Sequence, residues 1–145
     1  MVYIRVEAEV RPTEDEDKVV RAIRNIIDFD NLKVVDAGRG YRIVIAESNS
    51  IKSLQKLHDL LRRQRILDTA RNLLLRKAKG GSITLNLNKQ AAYQGVVSFA
   101  EGDLESPLGT ITITIVSENP EDVVDWLAPR TSRGRPLWER APPED

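Results

Sequence analysis

At 145 residues the chain has the length of one typical domain, enough to bury a core without disulfides or metals. It contains no cysteine, which excludes a disulfide framework, a thiolate metal site and a thiol nucleophile, and fits a reducing compartment. Lys and Arg number 22 against 22 Asp and Glu, so total charge selects no partner, and no apolar run approaches the roughly 18 residues of a membrane span.

The opening stretch MVYIRVEAEV alternates, with Ile4, Val6, Ala8 and Val10 on one face and Arg5, Glu7 and Glu9 on the other, the pattern of a half-buried antiparallel strand. A basic stretch followed by an apolar run would mark a secretory signal, and none is visible here, so a soluble cytoplasmic protein is expected. Pro12 ends the strand. Thr13 and Glu16 have the spacing of a capping box, and Glu14 to Asp17 set carboxylates at the positive end of the helix that follows, which accounts for them without a metal. Val19, Val20, Ile23, Ile26 and Ile27 continue it at helical spacing, and Asp28 to Asn31 close it. Lys33 to Ala37 and Tyr41 to Glu47 read as strands around Gly38-Arg39-Gly40. That loop lacks the Lys-Ser/Thr ending of a phosphate-binding loop and predicts a hairpin.

From Ile51 to Lys79 the sequence is compatible with helix throughout, but one straight helix cannot bury all its apolar residues. At about 100° per residue, Ile51, Leu54, Leu57, Leu60 and Leu61 cluster roughly 160° away from Ile66, Leu67, Ala70, Leu73 and Leu74. A break between Leu61 and Ile66 reconciles them. Gly80-Gly81 ends this region. Ser82 to Asn88, Gly95 to Phe99 and Thr110 to Val116 predict three further strands, and Pro120 opens a last helix carrying Val123, Val124, Trp126 and Leu127. Trp126 is expected in the core and His58, the single histidine, facing solvent. Strands and helices intermix without regular βαβ repetition. The expected fold is α+β, a two-layer sandwich with a mostly antiparallel sheet and helices on one face. Residues 1–129 form that domain, and 130–145 read as a flexible Arg/Pro-rich tail.

Charge is segregated along the chain. Residues 50–80 carry nine Lys or Arg against two Asp, whereas residues 101–125 carry seven Asp or Glu and no cation. A neutral chain of this kind can still present a positive surface. Arg62, Arg63 and Arg65, with Arg71 beyond them, have the planar forks that donate two hydrogen bonds to one phosphate. The competing reading pairs Asp59 with Arg62 or Arg63, and Asp68 with Arg65 or Arg71, as a solvated helix face. Asn88, Lys89 and Gln90 follow a strand as a polar loop that could hydrogen-bond nucleotides, or whose amides could staple nearby main chain. Arg133-Gly134-Arg135 resembles a short RNA-contacting RG element.

Five stretches, PTED at Pro12 to Asp15, LLRRQRILDTAR at Leu60 to Arg71, LNKQAAYQG at Leu87 to Gly95, SPLGTI at Ser106 to Ile111 and DWLAPRT at Asp125 to Thr131, run through nearly the whole chain. Together they resemble an uncharacterised archaeal family described as RNA-binding and exosome-linked. The resemblance implies a fold related to the large-subunit ribosomal protein that binds 5S ribosomal RNA, and RNA or a ribonucleoprotein complex as partner. Fold alone transfers no function.

Two functions are therefore expected to compete. The first is a non-catalytic module that contacts structured RNA through backbone phosphates, using Arg62, Arg63, Arg65, Arg71, Asn88, Lys89 and Gln90. With two Trp, three Tyr and two Phe in the chain, a stacking-rich single-strand platform is disfavoured. The second is a protein assembly factor or homodimer in which acidic and basic stretches of different copies meet. No cofactor is expected, and no nucleophile elbow, metal-ligand set or phosphate loop points to an enzyme.

Overall fold

The computed structural model describes residues 1–100 and 109–143. It shows an open α+β fold with six antiparallel strands in one sheet, in the order β2-β3-β1-β6-β5-β4, and five α-helices among the described residues. The strands are β1 (Val2–Val10), β2 (Asn31–Gly38), β3 (Tyr41–Ser48), β4 (Ala78–Lys79), β5 (Ser82–Asn88) and β6 (Thr110–Ser117). The helices are α1 (Glu16–Ile26), α2 (Gln55–Arg63), α3 (Leu67–Lys77), α4 (Lys89–Tyr93) and α5 (Pro120–Leu127), with a 3-10 turn at Ile51–Leu54 leading into α2.

Alternation decides which face of the sheet is covered. Ile4, Val6 and Ala8 of β1 register with Ile115, Ile113 and Ile111 of β6, and these with Ile83, Leu85 and Leu87 of β5, while Val2 and Val10 extend the same face of β1. All are buried beneath the helices. The opposite face carries Tyr3, Arg5, Glu7 and Glu9 of β1 beside Thr112 and Thr114 of β6 and Thr84 and Asn86 of β5. No helix covers it, and its residues are mainly polar and half-buried beside Ile43 and Ile45 of β3, with Thr112 donating to Asn86 at 2.9 Å and Tyr3 to Glu47 at 2.5 Å. That last bond raises the Tyr3 phenol above its ordinary range, because the deprotonated ring would lose it.

The predicted break in the long helical region is present. α2 stops at Arg63 and α3 starts at Leu67, with Arg65 in the left-handed region at φ 57°. The Arg65 amide donates to the Arg62 carbonyl at 3.1 Å and the Ile66 amide to the Leu61 carbonyl at 3.0 Å, the two bonds of a Schellman motif. Each half thereby buries its own stripe, Leu57, Leu60 and Leu61 from α2 and Leu67, Ala70, Leu73 and Leu74 from α3.

Three local expectations are corrected. The N-cap of α1 is Asp15, whose carboxylate accepts from the Asp17 amide at 2.9 Å, so Thr13 is not the cap and the helix starts at Glu16. The helix also ends at Ile26, earlier than Asp28 to Asn31, where Ile27 turns into extended backbone. The strand expected at Gly95 to Phe99 reduces to one bridge between Leu87 and Phe99. Gln64 takes the place of a neighbouring strand there: its carboxamide donates to the Val97 carbonyl at 2.9 Å and accepts from the Val97 amide at 2.8 Å. Ser106 to Leu108 of the SPLGTI stretch, like the acidic residues 101–105, lie outside the described residues.

Trp126 is buried as expected, but His58 is not a solvent-facing residue. Its ring stacks on Trp126 with centroids 4.8 Å apart, and its Nδ1 lies 3.0 Å from Asp59. That bond holds the Asp59 carboxyl below its ordinary range. Residues 130–143, read from composition as a mobile tail, carry a hairpin of β7 (Thr131–Ser132) and β8 (Arg135–Pro136). The Thr131 hydroxyl donates to Asp68 of α3.

The left-handed turn yields a direct test. Replacing Arg65 by Val should destabilise the protein by about 1–2 kcal/mol, since a β-branched side chain tolerates positive φ poorly, whereas Arg65→Gly should not. Urea denaturation of the two variants measures the difference. Equal losses would show that the turn does not depend on its backbone conformation.

Candidate nucleic-acid interface

The structure separates the seven sequence-nominated residues into two groups. Arg62, Arg71, Asn88 and Lys89 hold the fold together, while Arg63, Arg65 and Gln90 are exposed.

Arg62 does not pair with Asp59. Its guanidinium donates to the carbonyls of His58 at 2.8 Å, Leu127 at 3.1 Å and Trp126 at 3.2 Å, and reaches Glu139 at 2.6 Å. Those bonds keep the Glu139 carboxyl below its ordinary range. Arg71 likewise pairs with Asp125 at 2.9 Å instead of Asp68, donates to the Ala128 carbonyl at 3.1 Å and lies over the Trp138 ring. Arg140 meets the other Asp125 oxygen at 3.2 Å. These two arginines strap the C-terminal segment onto α2, α3 and α5. Their forks are occupied, so neither can grip a phosphate without releasing the chain.

Asn88, Lys89 and Gln90 are not a loop. Asn88 is the N-cap of α4, its side-chain oxygen accepting from the Ala91 amide at 2.9 Å. Lys89 is buried, with its side chain 4 % exposed. Its ammonium donates to the Glu9 carbonyl at 2.6 Å and to Glu14 at 3.1 Å, while Glu14 also accepts from the Arg11 amide at 3.0 Å. The lysine thus ties the start of α4 to the end of β1 and the turn ahead of α1. Sequence spacing could not reveal this, since its partners lie 75 and 80 residues away.

Arg63 and Arg65 flank the Schellman turn and make no ion pair among the described residues. The bond from Thr131 to Asp68 docks the C-terminal hairpin on the first turn of α3, three residues beyond Arg65. Arg130, Arg133 and Arg135 of that segment are exposed and also lack a carboxylate partner among the described residues. Arg63 and Arg65 at the turn, and Arg130, Arg133 and Arg135 outside the nominated set, are thus exposed arginines on two segments joined by the Thr131–Asp68 bond. The RG dipeptide at Arg133-Gly134 was the only signal of the hairpin's part in this group.

A groove of about 510 Å³ runs between α1 and α4. Val19 and Ala22 of α1 form an apolar wall, Gln90, Tyr93 and Gln94 stand opposite, Lys18 lies at the rim, and Glu14 and Lys89 line it as well. Asn25 holds the helices together by donating to the carbonyls of Ala92 at 3.0 Å and Tyr93 at 3.1 Å. The Arg21 guanidinium sits 6.0 Å from the centre of the Tyr93 ring.

Removing the buried ammonium should be costly. Lys89→Met leaves the Glu14 carboxylate without its cation, and breaking a buried pair costs roughly 3–5 kcal/mol. Adding Glu14→Gln should recover part of that loss. Chemical denaturation of the two single variants and the double variant tests it, and a fully additive cycle would rule out the pairing.

The geometry can be set beside known proteins. A family model described as RNA binding matches residues 3–117. A UPF0201 protein of Metallosphaera sedula is 52 % identical over 145 residues, covering 100 % of both chains. One from Sulfolobus acidocaldarius is 53 % identical over 146 residues, again covering 100 % of both. The crystal structure of a UPF0201 protein from Methanococcus jannaschii is similar with a TM-score of 0.83 at 32 % identity, covering 93 % of this chain and 98 % of that one. Matched along its length in sequence and over nearly all of it in fold, the chain belongs to the archaeal UPF0201 family and to the RNA-binding family model that spans its sheet.

Proposed function

We propose that the protein is a non-catalytic RNA-binding module that grips the backbone of structured RNA through the arginines around the α2–α3 turn. The observation that carries this reading is that Arg63 and Arg65 at the turn, and Arg130, Arg133 and Arg135 of the segment docked on α3, are exposed without carboxylate partners among the described residues. Asp68, the acid nearest to Arg65 in sequence, accepts from Thr131 and so docks the hairpin on the first turn of α3. The family model supports RNA as the anion.

The open face of the sheet supports the same assignment by what it offers. It carries Glu7 and Glu9 with Arg5, which pairs with Glu7 at 2.7 Å, and two aromatic rings, Tyr3, whose hydroxyl is engaged with Glu47, and Tyr41 at the hairpin end of β3. The Arg5 guanidinium is thus occupied, and two rings on different strands, one of them engaged, make no stacking platform. Contact through arginine forks to phosphates carries little sequence information, so shape should govern which RNA is held.

A second reading, self-association, is favoured by β2. This strand lies at the sheet edge, and Leu32, Val34 and Val35 are 40 %, 39 % and 43 % exposed. An uncovered edge strand of eight residues, three of them exposed aliphatics and none a proline, is a template for pairing with a second copy. Val34→Lys should then convert a dimer to monomer in sedimentation velocity. A wild type that sediments as a monomer at high micromolar concentration removes this reading.

The RNA reading is tested by reversing Arg63, Arg65, Arg133 and Arg135 to Glu, leaving Arg62 and Arg71 in place. Affinity for a structured RNA should fall about tenfold or more at 0.1 M salt. The slope of log affinity against log salt should flatten by about 0.7–0.9 for each phosphate that is no longer neutralised. A folded variant with unchanged affinity and slope would place the RNA elsewhere, and a wild type without salt-dependent binding would remove the reading.

A further inference from the structure

The groove between α1 and α4 has features that phosphate gripping at the α2–α3 turn does not use. On α1, Lys18 and Arg21 are three residues apart and therefore neighbours along one side of the helix. On and just after α4, Gln90, Tyr93 and Gln94 follow at i, i+3 and i+4, which again puts them on one side. The two helices thus set Lys18, with Arg21 outside the lining but beside the Tyr93 ring, against two carboxamides and that ring, with Val19 and Ala22 as apolar wall and with Asp15, whose carboxylate caps α1, also in the lining. Lys18 and Arg21 are exposed and make no ion pair among the described residues.

The polarity of the groove defines its occupant. The charges among its lining residues that lie deepest, Glu14 and Lys89, neutralise one another at 3.1 Å. The interior therefore favours a neutral, flat group over an ion, while Lys18 and Arg21, without ion pairs among the described residues, can receive an anion beside it. Carboxamides offer a donor and an acceptor together, which matches the hydrogen-bonding edge of a nucleobase. A volume of about 510 Å³ falls in the range of small-molecule sites, about 300–1,000 Å³. A flat neutral heterocycle joined to a phosphate has both properties at the right ends.

We infer that the α1–α4 groove receives a single unpaired nucleotide of the bound RNA. Its base lies against Val19, Ala22 and the Tyr93 ring, its edge meets Gln90 and Gln94, and its phosphate sits by Lys18 and Arg21. The inference rests on the RNA-binding reading and adds to it a preference: RNA with a looped-out or bulged nucleotide is held more tightly than continuous duplex. Gln64 links the two sites, since it joins the residue before Arg65 to Val97, just beyond α4.

Two hairpin RNAs that differ only by one bulged nucleotide in the stem provide the test, with each of the four bases in the bulge. Wild-type protein should bind the preferred bulged form at least about tenfold tighter than the continuous stem. The Gln90→Ala/Gln94→Ala double variant, altering exposed residues, should lose that preference and keep its affinity for the continuous stem. Tyr93→Leu should do the same, with melting temperatures confirming that the variants are folded. In wild-type protein, the side-chain amide resonances of Gln90 and Gln94 should move on adding the bulged RNA and stay in place with the continuous stem. Equal affinity of wild type for both RNAs, or a preference that survives in both variants, overturns the groove inference and leaves RNA binding intact. Binding to neither RNA overturns the RNA reading and this one with it.

Discussion

The contact on which the arrangement of this protein turns is the one made by the Lys89 ammonium. A buried cation is tolerated only when its charge and its donors are satisfied, and removing it from water costs several kcal/mol. The contact joins three places at once: the Glu9 carbonyl in β1 and the Glu14 carboxylate ahead of α1 accept, and the lysine that donates to both stands at the start of α4. None can shift without exposing or orphaning a charge. The position of α4 against α1, and so the width of the groove between them, follows from that requirement as much as from apolar packing.

How much of this could be read from sequence depended on whether the cause was local. The break near Arg65 was legible because the apolar stripe changes sides there, and no partner outside the segment is needed to see it. The sheet was legible from alternation, and the Gly38 to Gly40 hairpin from its turn residues, all three of which take positive φ. The capping of α1 was misread because Thr13 and Asp15 both have capping chemistry, and only the backbone path decides that Asp15 is the one.

The candidate site was far less legible. Arg62 and Arg63 are adjacent and chemically identical, yet Arg62 meets Glu139, 77 residues away, and Arg63 points to solvent. Asn88, Lys89 and Gln90 read as one polar loop and divide into a cap, a buried anchor and an exposed amide. In each case the deciding partner is remote in sequence and no periodicity encodes it. A polar residue in a linear pattern announces that it needs partners, and leaves open whether protein or ligand supplies them.

The strap formed by the C-terminal segment has a consequence for time instead of equilibrium. Its contacts, Glu139 with Arg62, Asp125 with both Arg71 and Arg140, and Trp138 with Arg71, join residues separated by up to 77 positions and rest on helices that must already be docked. Contacts that need already docked surfaces are closed late, because the entropy of closing the loop is offset only once the surfaces they join exist. Interactions absent from the folding transition state leave the folding rate nearly unchanged and slow unfolding. The last residues of the chain therefore set how long each molecule stays folded more than how fast it folds.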